Sequence, residues 1–310
     1  MQTPGDTLRY VYDYGDSWNL ELRLTHVLEA PTGARPAVCV DGEGSMPGED
    51  GSMPTVFNLG EVNRALDDPV LHLPDLGFTA EIVALATRLR GTPQFVALLA
   101  DSPRPQTPNT DQITAATSAI RWFLDRARGG GIPLTAAGYL KPDDVAAASL
   151  VLPAMRSWIG KNNREVLAVP VLEFRTWLQS AGLLRKYRGR LLLTRLGAAA
   201  QRDPTALWAA LAAKLVPAHG FAQEATLVTL AHIAATSGRA VPYDQIASTL
   251  ADLGWRQRDR SAPDWHSLVR LGALALLRSL DKPADEPRSP AEFGPMATAL
   301  AQATLRRTPV

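Results

Sequence analysis

The sequence predicts an α+β protein, with a small N-terminal β-sheet domain followed by a mostly helical, winged-helix-like body. Near the N-terminus, leucines and tyrosines alternate with polar residues, which is typical of strands. Beyond residue 68, apolar residues recur at helical spacing in a chain rich in Ala, Leu and Arg, which are good helix formers. A predicted helix at 170–181 precedes a basic hairpin at 183–193, and this order of elements suggests a winged-helix unit by analogy.

Two strands joined by a turn are predicted at the start of the chain. The turn falls at 15–17, where Gly15 and Asp16 interrupt the alternation. The second strand ends before Pro31-Thr32-Gly33. The apolar residues of the two strands are Leu8, Tyr10, Tyr12, Leu20, Leu22 and Leu24.

The remainder of the N-terminal domain is predicted to be mostly loop. Cys39 lies between Val38 and Val40, so we expect a buried, inert thiol. Residues 41–54 are rich in Gly, Pro and acidic residues, which predicts a loop, and residues 59–66 predict a short helix.

Apolar periodicity places the helices of the body. It predicts helices at 79–90 and at 111–128, the latter capped by Asp111, and a proline-bearing linker at 100–112. The helix at 170–181 has Arg175 among its outward residues, the hairpin after it is predicted to turn at Arg188-Gly189, and Thr194 is expected to cap the helix that follows. Further helices are predicted around 227–234, 243–253 and 264–280. The predicted domains are therefore 1–68, 69–112 (helix and Pro-rich linker), 113–220 (winged-helix-like) and 221–310 (helix-turn-helix-like).

Charge is distributed unevenly along a chain whose net charge is +1. Residues 1–68 carry 4 Lys/Arg and 12 Asp/Glu, whereas residues 69–310 carry 28 and 19, so the two parts have net charges of −8 and +9. This asymmetry predicts either internal pairing of the two parts or separate partners for each. The single cysteine, the absence of an apolar run of about 18 residues and the lack of a signal-peptide pattern predict a cytoplasmic protein without a membrane segment.

Common catalytic and cofactor motifs are missing from the sequence. It contains no Gly-x-Ser-x-Gly, no phosphate-binding Gly-x-x-x-x-Gly-Lys-Ser/Thr and no Gly-x-Gly-x-x-Gly. Its five histidines are scattered, whereas a zinc site needs clustered ligands. We therefore expect no cofactor and favour a non-enzymatic protein, and the oligomeric state stays open.

The basic hairpin is the candidate for nucleic-acid contact. Five cations stand within eleven residues that contain no carboxylate, and such a wing would contact phosphates or a minor groove. DNA or a protein is the expected partner of this basic helical body. The alternative is a solvated face that pairs with the acidic N-terminal domain. The five cations are Arg185, Lys186, Arg188, Arg190 and Arg195.

The acidic and aromatic segment at 12–18 is a second candidate site. Asp13 and Asp16 are candidate ligands of a hard cation or a carboxylate pair for acid–base chemistry. The residues that could join them are Asp41, Glu43, Glu49 and Asp50. This alternative function is a degraded metal-dependent enzyme. The structural interpretation is that Asp16 caps a turn while the aromatics pack a small sheet.

The Tyr-Asp-Tyr-Gly-Asp-x-Trp segment at 12–18 and the Gly-Glu-Gly and Pro-x-Glu-Asp stretches at 42–50 form two motifs. Together they resemble the plasmid pRiA4b ORF-3-like family, whose members are often called insertion-element passenger proteins. The resemblance covers roughly residues 7–66, and it implies a bacterial, mobile element-associated protein with no established activity. Asn19 and Leu20 stand where the family usually has a His, Met46 replaces its Cys, and the longer strand-helix half expected before Thr7 is missing. The resemblance thus implies a truncated, divergent domain, a remnant sheet. The motif residues are Tyr12, Asp13, Tyr14, Gly15, Asp16 and Trp18, then Gly42, Glu43, Gly44, Pro47, Glu49 and Asp50.

Overall fold

The chain divides into two compact units, Met1–Asp68 and Pro69–Val310, which we call the N-terminal unit and the body. The α+β prediction is confirmed, because small two-stranded sheets precede a mostly helical body. One cluster of buried apolar residues runs from Val70 to Leu305, and the finer division near residues 112 and 220 stays a prediction. The structure is a computed structural model that describes residues 3–12, 18–27, 37–46, 55–156, 158–236, 240–280 and 292–306.

The N-terminal unit contains both predicted strands. β1 (Thr7–Tyr12) pairs antiparallel with β2 (Trp18–Arg23). A shorter pair, β3 (Ser45–Met46) with β4 (Thr55–Val56), shows that the loop prediction for 41–54 was wrong at residues 45–46. The short helix α1 (Leu59–Leu66) has the predicted bounds.

The apolar face of the β1–β2 hairpin is exposed. Leu8 stands opposite Leu22 and Tyr10 opposite Leu20, and each of the four is about half exposed, at 48–54%. The alternation of apolar and polar residues therefore predicted the two strands correctly, but its apolar residues are not buried in the described part of the N-terminal unit. A two-stranded hairpin alone offers too little area to bury either of its faces.

Cys39 is not the buried thiol that the sequence predicted. Val38 and Val40 are exposed, and Cys39 is only partly buried. The Asn63 side chain bonds both backbone groups of Cys39, accepting from Cys39 N and donating to Cys39 O, each at 2.8 Å. These bonds, rather than packing of the valines, hold this stretch against α1.

The helices of the body differ in how they are buried, because Ala80–Arg88 buries one face whereas residues 225–234 are buried all round. Predicted helices at 79–90 and 170–181 are confirmed within two residues. The described helices are α2 (Ala80–Arg88), α3 (Pro93–Ala100), α4 (Thr110–Ala116), α5 (Ser118–Ala127), α6 (Pro142–Val151), α7 (Val169–Ser180), α8 (Arg195–Arg202), α9 (Pro204–Lys214), α10 (Gly220–Thr236), α11 (Tyr243–Asp252), α12 (Trp265–Val269), α13 (Gly272–Leu280) and α14 (Pro295–Leu305).

The predicted helix at 111–128 is in fact two helices. Asn109, not Asp111, is the N-cap, because it forms a reciprocal capping box with Gln112. At Thr117 the backbone leaves helical geometry (φ −91°, ψ 15°), and its hydroxyl donates to Ile113 O at 2.7 Å. A β-branched hydroxyl residue bonded to its own helix in this way favours a break or bend.

The proline-bearing segment between α3 and α4 has no helix or strand, as expected of a linker, yet it is held in place. Arg306 donates to the carbonyl and the hydroxyl of Ser102, both at 2.8 Å, and to Pro103 O. These bonds fasten the segment to the end of α14 inside the body.

A three-stranded antiparallel sheet lies within the body. β5 (Ile132–Pro133), β6 (Leu184–Tyr187) and β7 (Arg190–Leu193) are arranged in the order β5-β7-β6. Along the chain, the surrounding elements run α5, β5, α6, α7, β6, β7. Helices α5 and α7 contact each other through Phe123 and Phe174, whose ring centroids lie 5.7 Å apart. No helix in the described ranges has the length and apolar character needed to cross a bilayer.

Candidate nucleic-acid interface

The predicted basic hairpin turns at Arg188-Gly189, where the sequence placed it. Both turn residues have positive φ, 46° for Arg188 and 70° for Gly189. Positive φ at both central positions defines a type I′ turn, whose twist matches that of the flanking strands. The turn fixes the register Tyr187↔Arg190 and Lys186↔Leu191. A short, tightly closed hairpin, which we call the wing, therefore forms two of the three strands of the sheet.

Two arginines of the wing flank one aromatic ring. The guanidinium carbons of Arg185 and Arg188 lie 5.3 Å and 5.1 Å from the centroid of the Tyr187 ring. These cation–π contacts restrict two long side chains at the hairpin's end. Within the described part of the chain, no carboxylate lies within ion-pair distance of either guanidinium. Both cations remain exposed to solvent.

Lys186 points to the opposite face of β6. Its ammonium lies against Gly138, where an added Cβ would stand 1.6 Å from Nζ. Gly138 also has φ +81°, so the loop before α6 is shaped to pass under this lysine. Lys186 nevertheless stays exposed.

Arg195 is the first residue of α8 and is exposed. The Thr194 hydroxyl accepts from Gly197 N at 2.9 Å, which confirms the predicted N-cap. A cation at a helix N-terminus is slightly unfavourable with respect to the helix dipole, so Arg195 contributes little to the stability of α8. An anion placed there would be attracted by both the cation and the free amides.

Arg190 differs from the other cations of the hairpin. Its guanidinium donates to Gly130 O and, at 2.9 Å, to Gly131 O. These bonds tie β7 to the Gly129–Gly131 turn that ends α5. Arg190 is thus hydrogen-bonded within the body, where it holds the base of the β6–β7 hairpin.

Arg175 was predicted to face outward from the helix before the wing, and that prediction was wrong. Its side chain is 7% exposed and forms an ion pair with Glu165, whose side chain is 0% exposed. Glu165 also accepts from Leu140 N at 2.7 Å, and Arg175 donates to Gln179. The available signal was position, since Arg175 follows Phe174 within the apolar stripe of α7.

Most of the acidic and aromatic motif lies outside the described residues. Tyr12 and Trp18 form the last backbone pair of the β1–β2 ladder. Within the described ranges, no group of three or more His, Cys, Asp and Glu side chains is arranged to hold a metal ion. The motif residues Asp13, Tyr14, Gly15, Asp16, Pro47, Glu49 and Asp50 lie outside the described residues.

The described part of the second motif has a clear structural role. A Cβ on Gly42 would stand 2.8 Å from the Phe57 ring, so only glycine allows this packing. Gly44 has φ +96°, and its carbonyl accepts from Phe57 N at 2.9 Å. Glu43 between them is exposed. The two glycines therefore join the motif to the residue that follows β4.

Shifted pKa values occur in the body at residues away from the β6–β7 hairpin. Burial lowers the pKa of His232 to about 4, so this imidazole is neutral at pH 7. Burial also raises the pKa of Tyr243, although the neighbouring Arg278 opposes that shift. Neither residue belongs to a sequence motif, and nothing in their sequence context marked them.

Comparison with known proteins identifies one family. Residues 1–70 match the family model for plasmid pRiA4b ORF-3-like protein, a range that nearly coincides with the N-terminal unit. No curated protein and no solved structure shows significant similarity to the chain. The predicted resemblance to the plasmid pRiA4b ORF-3-like family is therefore confirmed for residues 1–70, at the N-terminus of this chain.

Proposed function

We propose that the body binds duplex DNA through the β6–β7 hairpin, acting as the wing of a winged-helix-like unit. The chain order α5, β5, α6, α7, β6, β7 and the strand order β5-β7-β6 correspond to the connectivity of winged-helix domains. This is support by analogy, since folds do not determine function. The observation that carries the proposal is the set of exposed cations without carboxylate partners on the wing.

Electrostatics favours a phosphate backbone as the ligand of this hairpin. Duplex DNA carries one negative charge per about 1.7 Å of axis, so a short basic projection meets several phosphates at once. We assign Arg185, Lys186, Arg188 and Arg195 to contact, and we omit Arg190 because its guanidinium bonds Gly130 and Gly131. Four contacts predict a salt slope, the change of log K with log salt, of roughly −3.6.

The proposal describes a non-enzymatic, cytoplasmic protein of bacterial, mobile element-associated origin. The alternative, a degraded metal-dependent enzyme, depends on Asp13, Asp16, Glu49 and Asp50, which lie outside the described residues. A protein partner on the basic body is the other alternative, and the DNA experiment below separates it from the first proposal.

The test is fluorescence anisotropy of a labelled 20-base-pair duplex across a salt series. The test variant carries Arg185→Gln and Arg188→Asn, because asparagine tolerates the left-handed conformation at position 188. The matched control carries Lys214→Gln and Arg258→Gln, which remove two exposed cations from other parts of the body.

We expect the test variant to lose about 60-fold in affinity at 0.1 M salt, since each contact contributes roughly 8-fold there, and its salt slope to flatten by about 2. The control variant should change affinity by less than about 3-fold. Equal losses in the two variants would indicate diffuse attraction to the body's net charge. Absence of binding at low salt would refute the function.

A further inference from the structure

The surface of α7 that a winged helix would direct into DNA forms one wall of a groove. Its solvent-side residues Leu172, Glu173, Thr176 and Ser180 line a cavity of about 360 Å³ together with the start of α13. Trp177 packs against Gly272 at that junction, where an added Cβ would lie 3.3 Å from the indole ring. The outer side of α7 is therefore concave and shared with a second helix.

This shape is poorly suited to reading base edges. The major groove is about 12 Å wide and admits one helix, whose diameter with side chains is about 10–12 Å. Two packed helices have axes about 8–10 Å apart, so α7 and α13 together are too broad to enter. A helix that reads sequence must also present its side chains on a convex surface.

The side chains exposed on α7 are also poorly suited to reading base edges. The charged residue among them is Glu173, a carboxylate that a phosphate backbone repels. The helix's arginine, Arg175, is sequestered by Glu165 and Gln179 and is therefore withheld from a ligand. Asn and Gln contacts to adenine, or Arg contacts to guanine, would need such groups on the outer side of α7, whereas the exposed arginine of this groove, Arg270, stands before α13 and not on α7.

We infer that this body recognises the duplex backbone without reading its sequence, through the wing and Arg195 and not through α7. The inference rests on the proposed function and specifies its substrate class, which is duplex DNA of any sequence. Phosphate contacts fix position but carry no direct sequence information, and the wing cations Arg185, Lys186 and Arg188 are of that kind. Helix α7 then serves the packing of the body, with α13 as its partner.

The experiment is selection from a random-sequence duplex library by the full chain, followed by affinity measurements on AT-rich and GC-rich duplexes of equal length. We expect no enriched motif, affinities within about 3-fold of one another, and an equal loss on all duplexes for Arg185→Gln/Arg188→Asn. The variant Thr176→Ala/Glu173→Gln should leave every affinity within about 3-fold.

Two results would overturn the inference in different ways. An enriched motif bound at least 10-fold more tightly than other sequences, with the preference lost in Thr176→Ala/Glu173→Gln, would show that α7 reads bases and that only the inference fails. Absence of binding to every duplex at low salt would remove the proposed function itself, and the inference with it.

Discussion

The buried ion pair between Arg175 and Glu165 should be a major contributor to the stability of the body. Both side chains are almost fully inaccessible, with 7% and 0% exposure. Arg175→Met would leave the Glu165 carboxylate buried, with the Leu140 N–H as its remaining donor. Removing one partner of a buried pair costs about 3–5 kcal/mol, because the other charge is left uncompensated.

That cost corresponds to a large fall in melting temperature. For a unit of this size each kcal/mol lowers Tm by roughly 2–4 °C, so Arg175→Met should melt about 6–20 °C lower. The pair Arg88–Glu224 provides the control, since the Arg88 side chain is 52% exposed while that of Glu224 is 15% exposed and also accepts from Trp255 Nε1. Arg88→Met should cost only about 1 kcal/mol, because solvent screens this half-exposed pair and Glu224 keeps its other donor.

The assay is urea unfolding of the full chain followed by tryptophan fluorescence, with Trp177 near the pair on the same helix. The double variant Glu165→Gln/Arg175→Met removes both charges but keeps an amide oxygen for Leu140 N, so it should recover most of the loss. If Arg175→Met costs less than 1 kcal/mol, or the costs of the two changes simply add, then the carboxylate and the guanidinium are not coupled and the reasoning fails.

Three further predictions concern single positions. Gly197→Ala should destabilise the body by about 3 kcal/mol in chemical unfolding, because its Cβ would lie 2.0 Å from the Leu183 carbonyl oxygen. The control Gly91→Ala adds a Cβ that meets nothing within 4 Å, so it should be neutral or slightly stabilising. Similar costs for the two variants would contradict this geometry. Arg188→Asn should leave Tm within about 3 °C in calorimetry, since the lost cation–π contact is offset by relief of a left-handed arginine; a larger fall would show that Arg188 is structural. The pKa of His232 is lowered to about 4, so as the pH falls the unfolded chain takes up a proton before the folded chain does. The protein should therefore lose up to about 3 kcal/mol of its free energy of unfolding as the pH falls from about 6.5 to 4. This pH dependence should weaken in His232→Gln, and an unchanged pH profile would exclude the imidazole as its source.

Local patterns in the sequence were sufficient for most elements. The Arg188-Gly189 turn follows from a glycine between two strand-like runs, and the cap at Thr194 follows from hydroxyl chemistry. The cap at Asn109 had a local signal that was missed, since Gln112 stands three residues later and completes a capping box. The break at Thr117 depends instead on how α4 and α5 pack, which no short window of sequence contains.

Charged residues show most clearly what the sequence could not provide. Arg185, Arg175 and Arg190 have the same side chain and lie within sixteen residues of one another, yet the first faces solvent, the second is buried against a carboxylate, and the third bonds two carbonyls about sixty residues away. Counting cations in the sequence gives five for the interface. Assigning each cation by its hydrogen-bond partners leaves four for the interface, so the expected salt slope becomes less steep, changing from roughly −4.5 to roughly −3.6. The role of an arginine in this body is therefore set by the acceptors that the fold brings to it, from Glu165, ten residues before Arg175, to Gly130, sixty residues before Arg190.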